Sequence, residues 1–312
     1  MSMSPRQKAH AAVILANLMF GFSFSMVKVL VPQHMSSFAL NVLRIVVSLP
    51  LFWGLLLLKP KQPPTQPGAG HRFGAQAGIA KADWPRFFLC GLFGVTINQI
   101  LFVKGLSLTS TIHGSLLALG TPVFITAAAA WLLKEQFSWQ KGAGLIMGLV
   151  GAALLVLSRG NQKQGSQVWL GDLMVLANSI SYALYFVWVK PLMKKYSPVH
   201  VIRWVFLLGG LMILPFGITD FLTISFTQLP AMAWVAIGFV AVGATFLAYL
   251  GNMYGIKHLG PGVTGSYIYT QPLFAAIISV VFLHEELGPL QVFAGGLIGA
   301  GVYFVNFKQK SA

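Results

Sequence analysis

A chain of 312 residues that is 56% hydrophobic, only 9% charged and has a mean hydropathy of +0.75 cannot cover a water-facing surface, because soluble domains run near 25% charged. Most of its exterior must face lipid, and a pair of soluble domains is excluded. The net charge of +15 would point to nucleic acid in a soluble protein. Here it reads as basic loops meeting the headgroups of membrane lipids, with no nucleic-acid partner.

A membrane span needs about 20 mostly apolar residues. Ten windows qualify: roughly 10–31, 36–58, 85–106, 110–133, 139–158, 169–190, 197–216, 230–253, 260–283 and 288–307. They are numbered spans 1 to 10 below. Span 1 follows Arg6 and Lys8 and is too long for the core of a cleaved signal peptide, so a retained helix is expected. Residues 59–84 form the one long connection. They open Lys59-Pro60-Lys61-Gln62-Pro63-Pro64 and lack apolar periodicity, which predicts a cytoplasmic linker. The single cysteine, Cys90, lies in the apolar run of span 3 and excludes an intramolecular disulfide. Asn98 and Gln99 interrupt span 3, and Asn252 interrupts span 8.

Span 4 contains Gly120-Thr121-Pro122-Val123-Phe124, and span 9, 150 positions later, contains Thr270-Gln271-Pro272-Leu273-Phe274. Each proline removes a backbone donor and leaves a carbonyl one turn earlier to find protein or a wet cavity. Pro122 and Pro272 are therefore the expected hinges. Phe20-Gly21 with Lys28 in span 1 matches Tyr182-Ala183 with Lys190 in span 6, all 162 apart. Five spans per half is an odd number, so the second copy must enter from the opposite side. The expectation is an all-α integral membrane protein of ten transmembrane helices, built as two inverted five-helix repeats. Residues 1–158 and 169–312 form the repeats, and 159–168 form an external connection. Glycines 144, 148 and 151 of span 5 and 295, 299 and 301 of span 10 read as helix packing.

Orientation follows from where the 21 Lys and Arg fall. Fifteen lie in segments that are inner if the N-terminus is inside, and only Lys104, Arg159 and Lys163 lie in outer ones. That bias puts both termini in the cytoplasm of a multi-pass inner-membrane protein.

These pieces together resemble the drug/metabolite transporter superfamily in its EamA-like branch. The matching features are the aromatic-small pairs before Lys28 and Lys190, the span-4 and span-9 prolines, and the acid-then-glycine runs Glu135 to Gly151 and Glu285 to Gly301. The resemblance spans essentially the whole chain. It implies a ten-helix inverted-repeat carrier of small metabolites, among whose relatives are exporters of amino acids. The aromatic of the span-1 pair is Phe20 here, where the family's usual residue is tryptophan.

The acids Asp83, Glu135, Asp172, Asp220, Glu285 and Glu286 all map to loops or span ends. No paired carboxylates, HExxH motif or cysteine nucleophile stands at bilayer depth, so no catalytic residue, metal or cofactor is expected. Without a mid-membrane acid, transport is expected to run as facilitated diffusion or exchange. Arg44 lies about two turns into span 2 with no acid at its depth, and an anionic substrate is one partner that could serve it. Uncharged polar groups gather in spans 1, 3, 4, 6, 8 and 9. The expected substrate site is Asn98 or Gln99, His113, Tyr182, Tyr249, Tyr267 and Gln271, with Arg44. The function so read is secondary transport, by alternating access, of an amino acid or related carboxylate-bearing organic anion out of the cell. A flippase or intramembrane enzyme for lipid-linked substrates is the rival class, and the assembly is a monomer or a homodimer.

Overall fold

The computed structural model describes residues 3–55, 57, 78–133, 139, 142–144, 146, 147, 150, 151, 154, 167–271 and 288–306. Among the described residues there is no strand, and seven helices are long and apolar enough to cross a membrane. They are Pro5–Leu30, Ser37–Gly54, Lys81–Leu108, Thr111–Leu132, Val168–Lys195, Pro198–Leu222 and Ala231–Leu259. These are spans 1 to 4 and 6 to 8. Span 5 falls largely outside the described residues, span 9 is described as far as Gln271, and span 10 is the helix Pro289–Asn306. Several helices run past their apolar windows, because polar residues at the bilayer surface continue a helix as readily as apolar ones. Span 3 already winds from Lys81, inside the segment expected to be linker, and span 6 continues to Lys195.

The starts of these helices are chemically marked. Ser4 and Gln7 form a reciprocal capping box at span 1. Ser36, Ser110 and Ser197 open spans 2, 4 and 7, each accepting a hydrogen bond from the backbone N–H three residues on, at Ala39, His113 and His200. Each serine satisfies one donor that the helix start would otherwise orphan.

Two spans depart from regular winding at related places. Span 3 winds as a π-helix over Leu92–Thr96 and span 8 over Phe239–Leu247, before each resumes as an α-helix. Such wide turns are rare and recur at functional sites. Span 4 breaks at Leu119–Gly120, whose N–H groups bond only three residues back, to Leu116 and Leu117. Thr121 opens a new helical segment and Pro122 stands in its first turn, where a missing N–H costs little. The span-9 segment before Pro272 is tightened to a 3-10 helix over Tyr267–Thr270. Pro272 itself lies outside the described residues.

Spans 2 and 7 pack along each other, span 3 packs on span 6, and span 1 on span 8. Small residues allow the close crossings. A Cβ at Gly105 of span 3 would stand 2.9 Å from the Gly171 carbonyl of span 6, and one at Gly251 of span 8 would stand 2.8 Å from the Ala12 carbonyl of span 1. In lipid, where no hydrophobic force draws helices together, such backbone approach supplies the packing energy. One buried cluster centres on Phe52, Phe87, Tyr185 and Phe206, another on Phe24, Leu30, Leu40 and Val240. Trp84, Trp131, Trp169 and Trp234 near the span ends are exposed, the positions of an interfacial aromatic belt.

Candidate functional site

A cavity opens where spans 1, 2, 3, 4, 6, 8 and 9 converge. Phe20, Ser23 and Phe24 of span 1, Asn98 and Phe102 of span 3, and Asn178 and Tyr182 of span 6 form much of its wall. Arg44, Thr121, Tyr249, Ile268 and Gln271 complete its polar and apolar lining. About 60 Å³ is open to a water-sized sphere, room for a few waters. A metabolite requires the lining to part.

The wall is held by a web of hydrogen bonds between spans. Tyr249 donates its hydroxyl to Asn98 Oδ1 at 3.0 Å, and Asn178 Nδ2 donates to the Asn98 carbonyl at 2.8 Å. Asn98 thereby ties spans 3, 6 and 8 together. Asn252 Nδ2 donates to the Tyr182 hydroxyl at 2.9 Å. Gln271 Nε2 donates to Asn17 Oδ1 at 2.6 Å, and Asn17 Nδ2 to the Val13 carbonyl at 2.8 Å. The rings of Phe20 and Tyr249 meet edge to face at 5.7 Å, and those of Phe24 and Phe102 at 5.1 Å, a favourable quadrupole arrangement.

Among the described residues Arg44 is the one cation on this wall. It is buried, its Nε donates to Thr245 Oγ1 at 2.8 Å, and its Nη1 has no partner. Among the described residues no carboxylate pairs with it. Arg203 in span 7 is placed differently: Nη2 lies 2.9 Å from His200 Nδ1 and the guanidinium stacks 5.0 Å from the Trp53 ring.

Of the residues singled out from sequence, the structure brings Asn98, Tyr182, Tyr249, Gln271 and Arg44 to the cavity, and leaves Gln99, His113 and Tyr267 off its wall. Successive residues of an α-helix point about 100° apart, so when Asn98 faces the cavity its neighbour Gln99 is buried behind the wall, beside the Tyr249 hydroxyl. His113 turns to span 6, where Nδ1 stands 3.1 Å from Asp172 Oδ2, and Thr109 donates to Asp172 Oδ1 at 2.6 Å. Tyr267 sits with its hydroxyl 2.7 Å from His10 Nδ1 in span 1. The 3-10 winding explains that: residues three apart share a face, so Ile268 and Gln271 line the cavity and Tyr267 turns away.

Asn178, Phe24 and Phe102 of the wall, and Thr245 behind Arg44, were not singled out as site residues. Asn178 and Thr245 were visible as polar groups in apolar spans, but nothing in the local sequence marks which way they face. The described acids lie at span ends. Asp83 accepts from Lys195 Nζ and the Tyr196 hydroxyl, both at 2.8 Å, and Asp220 accepts from Ser36 Oγ at 2.5 Å.

A small cavity of mixed polar and apolar lining, enclosed by membrane-spanning helices, is the architecture of a solute carrier. The chain belongs to the EamA-like transporter family, a ten-helix membrane fold of the drug/metabolite transporter superfamily, whose model matches residues 7–157 and again 169–307. It is 26% identical to a probable terminal-alkyne amino-acid exporter of Streptantibioticus cattleyicolor, over 72% of this chain and 73% of that one. It is 24% identical to an uncharacterized transporter of Archaeoglobus fulgidus over 97% of this chain and 98% of the relative. It is 25% identical to the uncharacterized transporter YyaM of Bacillus subtilis over 72% and 77%. A crystal structure at 18% identity shares the fold with a TM-score of 0.67, covering 96% of this chain and 98% of its own. The protein is a transporter of small molecules in a membrane.

Proposed function

We propose that this transporter exports amino acids or related carboxylate-bearing metabolites across the inner membrane, chemically unchanged, by alternating access. The observation that carries the substrate class is Arg44. A buried guanidinium with an unpartnered N–H edge is costly unless a partner arrives, and a carboxylate is the geometric match, binding in bidentate fashion. Asn98, Tyr182, Tyr249 and Gln271 supply neutral donors and acceptors for the rest of a polar headgroup. The rings of Phe20, Phe24 and Phe102 offer an apolar wall to a side chain. The cavity wall carries no acid among the described residues, which disfavours a purely cationic solute. The exporter named among the relatives adds support for an amino acid.

Two inverted halves, 1–158 and 169–312, rock about the cavity in this reading, with both termini and the 59–84 linker in the cytoplasm. The pairing of span 3 with 6 and of span 1 with 8 is what an inverted duplication requires. So are the matching π-turns in spans 3 and 8. The break at Gly120 before Pro122 serves as one hinge and the Pro272 region as the other. Flux needs no imposed proton gradient, and the unit of function is a monomer or homodimer.

The test is uptake of labelled amino acids, singly, into liposomes containing the purified protein, with and without a pH gradient. Arg44→Gln should cut flux at least roughly 10-fold for a carboxylate solute, as loss of a hydrogen bond to a charged group implies. Unchanged flux in Arg44→Gln overturns the assignment of Arg44. Recovery of chemically altered solute overturns the carrier mechanism.

A further inference from the structure

We propose that Thr245 is the positioning residue that decides which edge of Arg44 faces the solute, and so sets selectivity for a carboxylate. The proposal rests on the reading of Arg44 as the substrate anchor. A guanidinium offers a carboxylate two edges, one made of Nε and an Nη group, the other of both Nη groups. Nε is taken by Thr245 Oγ1 at 2.8 Å, and Nη1 is unpartnered. The end-on Nη pair is therefore the edge left for a solute, and Nη1, buried in this arrangement, is reached only when the lining parts.

Thr245 can hold Nε because its own proton is committed elsewhere. It donates to the Val240 carbonyl at 2.7 Å, five residues back, which fixes the hydroxyl rotor and turns a lone pair to Arg44. In regular α-helix a threonine reaches back three or four residues instead. The five-residue reach belongs to the π-wound segment Phe239–Leu247. Rewinding that segment as α-helix would turn Thr245 by about 100° and release Nε. The side chain is completely buried behind Arg44 and lies off the cavity wall, so it acts on the solute only through the guanidinium.

The experiment measures binding of the twenty common L-amino acids to purified wild-type protein by calorimetry, then compares the tightest binder with its carboxamide. The same pair is measured on Thr245→Val, Thr245→Ser and Arg44→Gln, each first checked for an unchanged melting temperature and elution profile. Thr245→Val should weaken the carboxylate form roughly 10-fold while moving the carboxamide little, and Thr245→Ser should keep the wild-type ratio. A carboxylate-to-carboxamide ratio unchanged in Thr245→Val, with Arg44→Gln impaired, overturns the positioning role and leaves the anchor standing. A ratio unchanged in Arg44→Gln, or no binding of any amino acid to the wild type, overturns the anchor and the positioning role together. If Thr245→Val is unstable, Thr245→Ala carries the same test.

Discussion

In span 3 the π-wound turn Leu92–Thr96 is pressed between neighbours. A Cβ at Gly94 would stand 2.4 Å from the Tyr185 ring, and one at Gly209 of span 7 would stand 2.5 Å from Val95. Thr96 spends its hydroxyl proton on the Gly209 carbonyl at 3.0 Å, fastening one helix to the next. In span 8 the turn Phe239–Leu247 has room at its glycine: a Cβ at Gly243 meets nothing closer than Phe239 of its own helix, at 3.6 Å. There the threonine holds Arg44 at the cavity. A π-wound turn carrying a threonine serves helix packing in span 3 and the proposed binding chemistry in span 8. Only the turn that reaches the cavity wall can act on a solute, and the other is free to serve packing.

The sharpest way to break this comparison is to fill the tight side. Gly209→Val should destabilise the protein by about 3 kcal/mol or abolish its insertion, because the new side chain meets Val95 and the Gly91 carbonyl, 2.7 Å from the added Cβ. Melting in detergent reads this out, and a wild-type melting temperature would show that the interface between spans 3 and 7 is not closed.

Thr96→Val tests the division of work itself. It should cost about 1 kcal/mol of stability and leave amino-acid affinity unchanged, the opposite of Thr245→Val. Altered solute selectivity in Thr96→Val would mean that both threonines serve the site. The smallest effect is expected at Gly243→Ala, where the added Cβ makes only ordinary contact with Phe239 of its own helix and little remains but helix propensity. A change within about 1 kcal/mol, toward greater stability, is the expected result, and a large loss would show that the room at Gly243 is in fact needed.

Much of the architecture was readable in the sequence because the bilayer imposes a hard length rule. Spans 1 to 4 and 6 to 8 appear as helices at the predicted places. Tyr182, Tyr249, Gln271 and Arg44 stand out in the sequence because polar groups in apolar spans are costly and need a reason, and all four line the cavity. Their neighbours show the limit. Asn98 and Gln99 are adjacent, equally polar and equally deep, and only the first faces the cavity. His113 had no visible partner in its own segment, and found Asp172 some sixty positions later in the chain.

Composition, span length and the placement of basic residues determined a helical membrane protein and its expected orientation, since each is a local response to lipid and its charge. The repeated proline segments and aromatic-small pairs carried the family resemblance. Which polar groups converge was decided by the tertiary structure, because facing depends on cumulative rotation along each helix. A π-turn in span 8, a 3-10 turn at Tyr267–Thr270 and a break at Gly120 each reset that rotation. They turn Thr245 onto Arg44 and Gln271 into the cavity, and they turn Tyr267 to His10. Such changes of winding are set by packing between spans distant in sequence, so no single span encodes them.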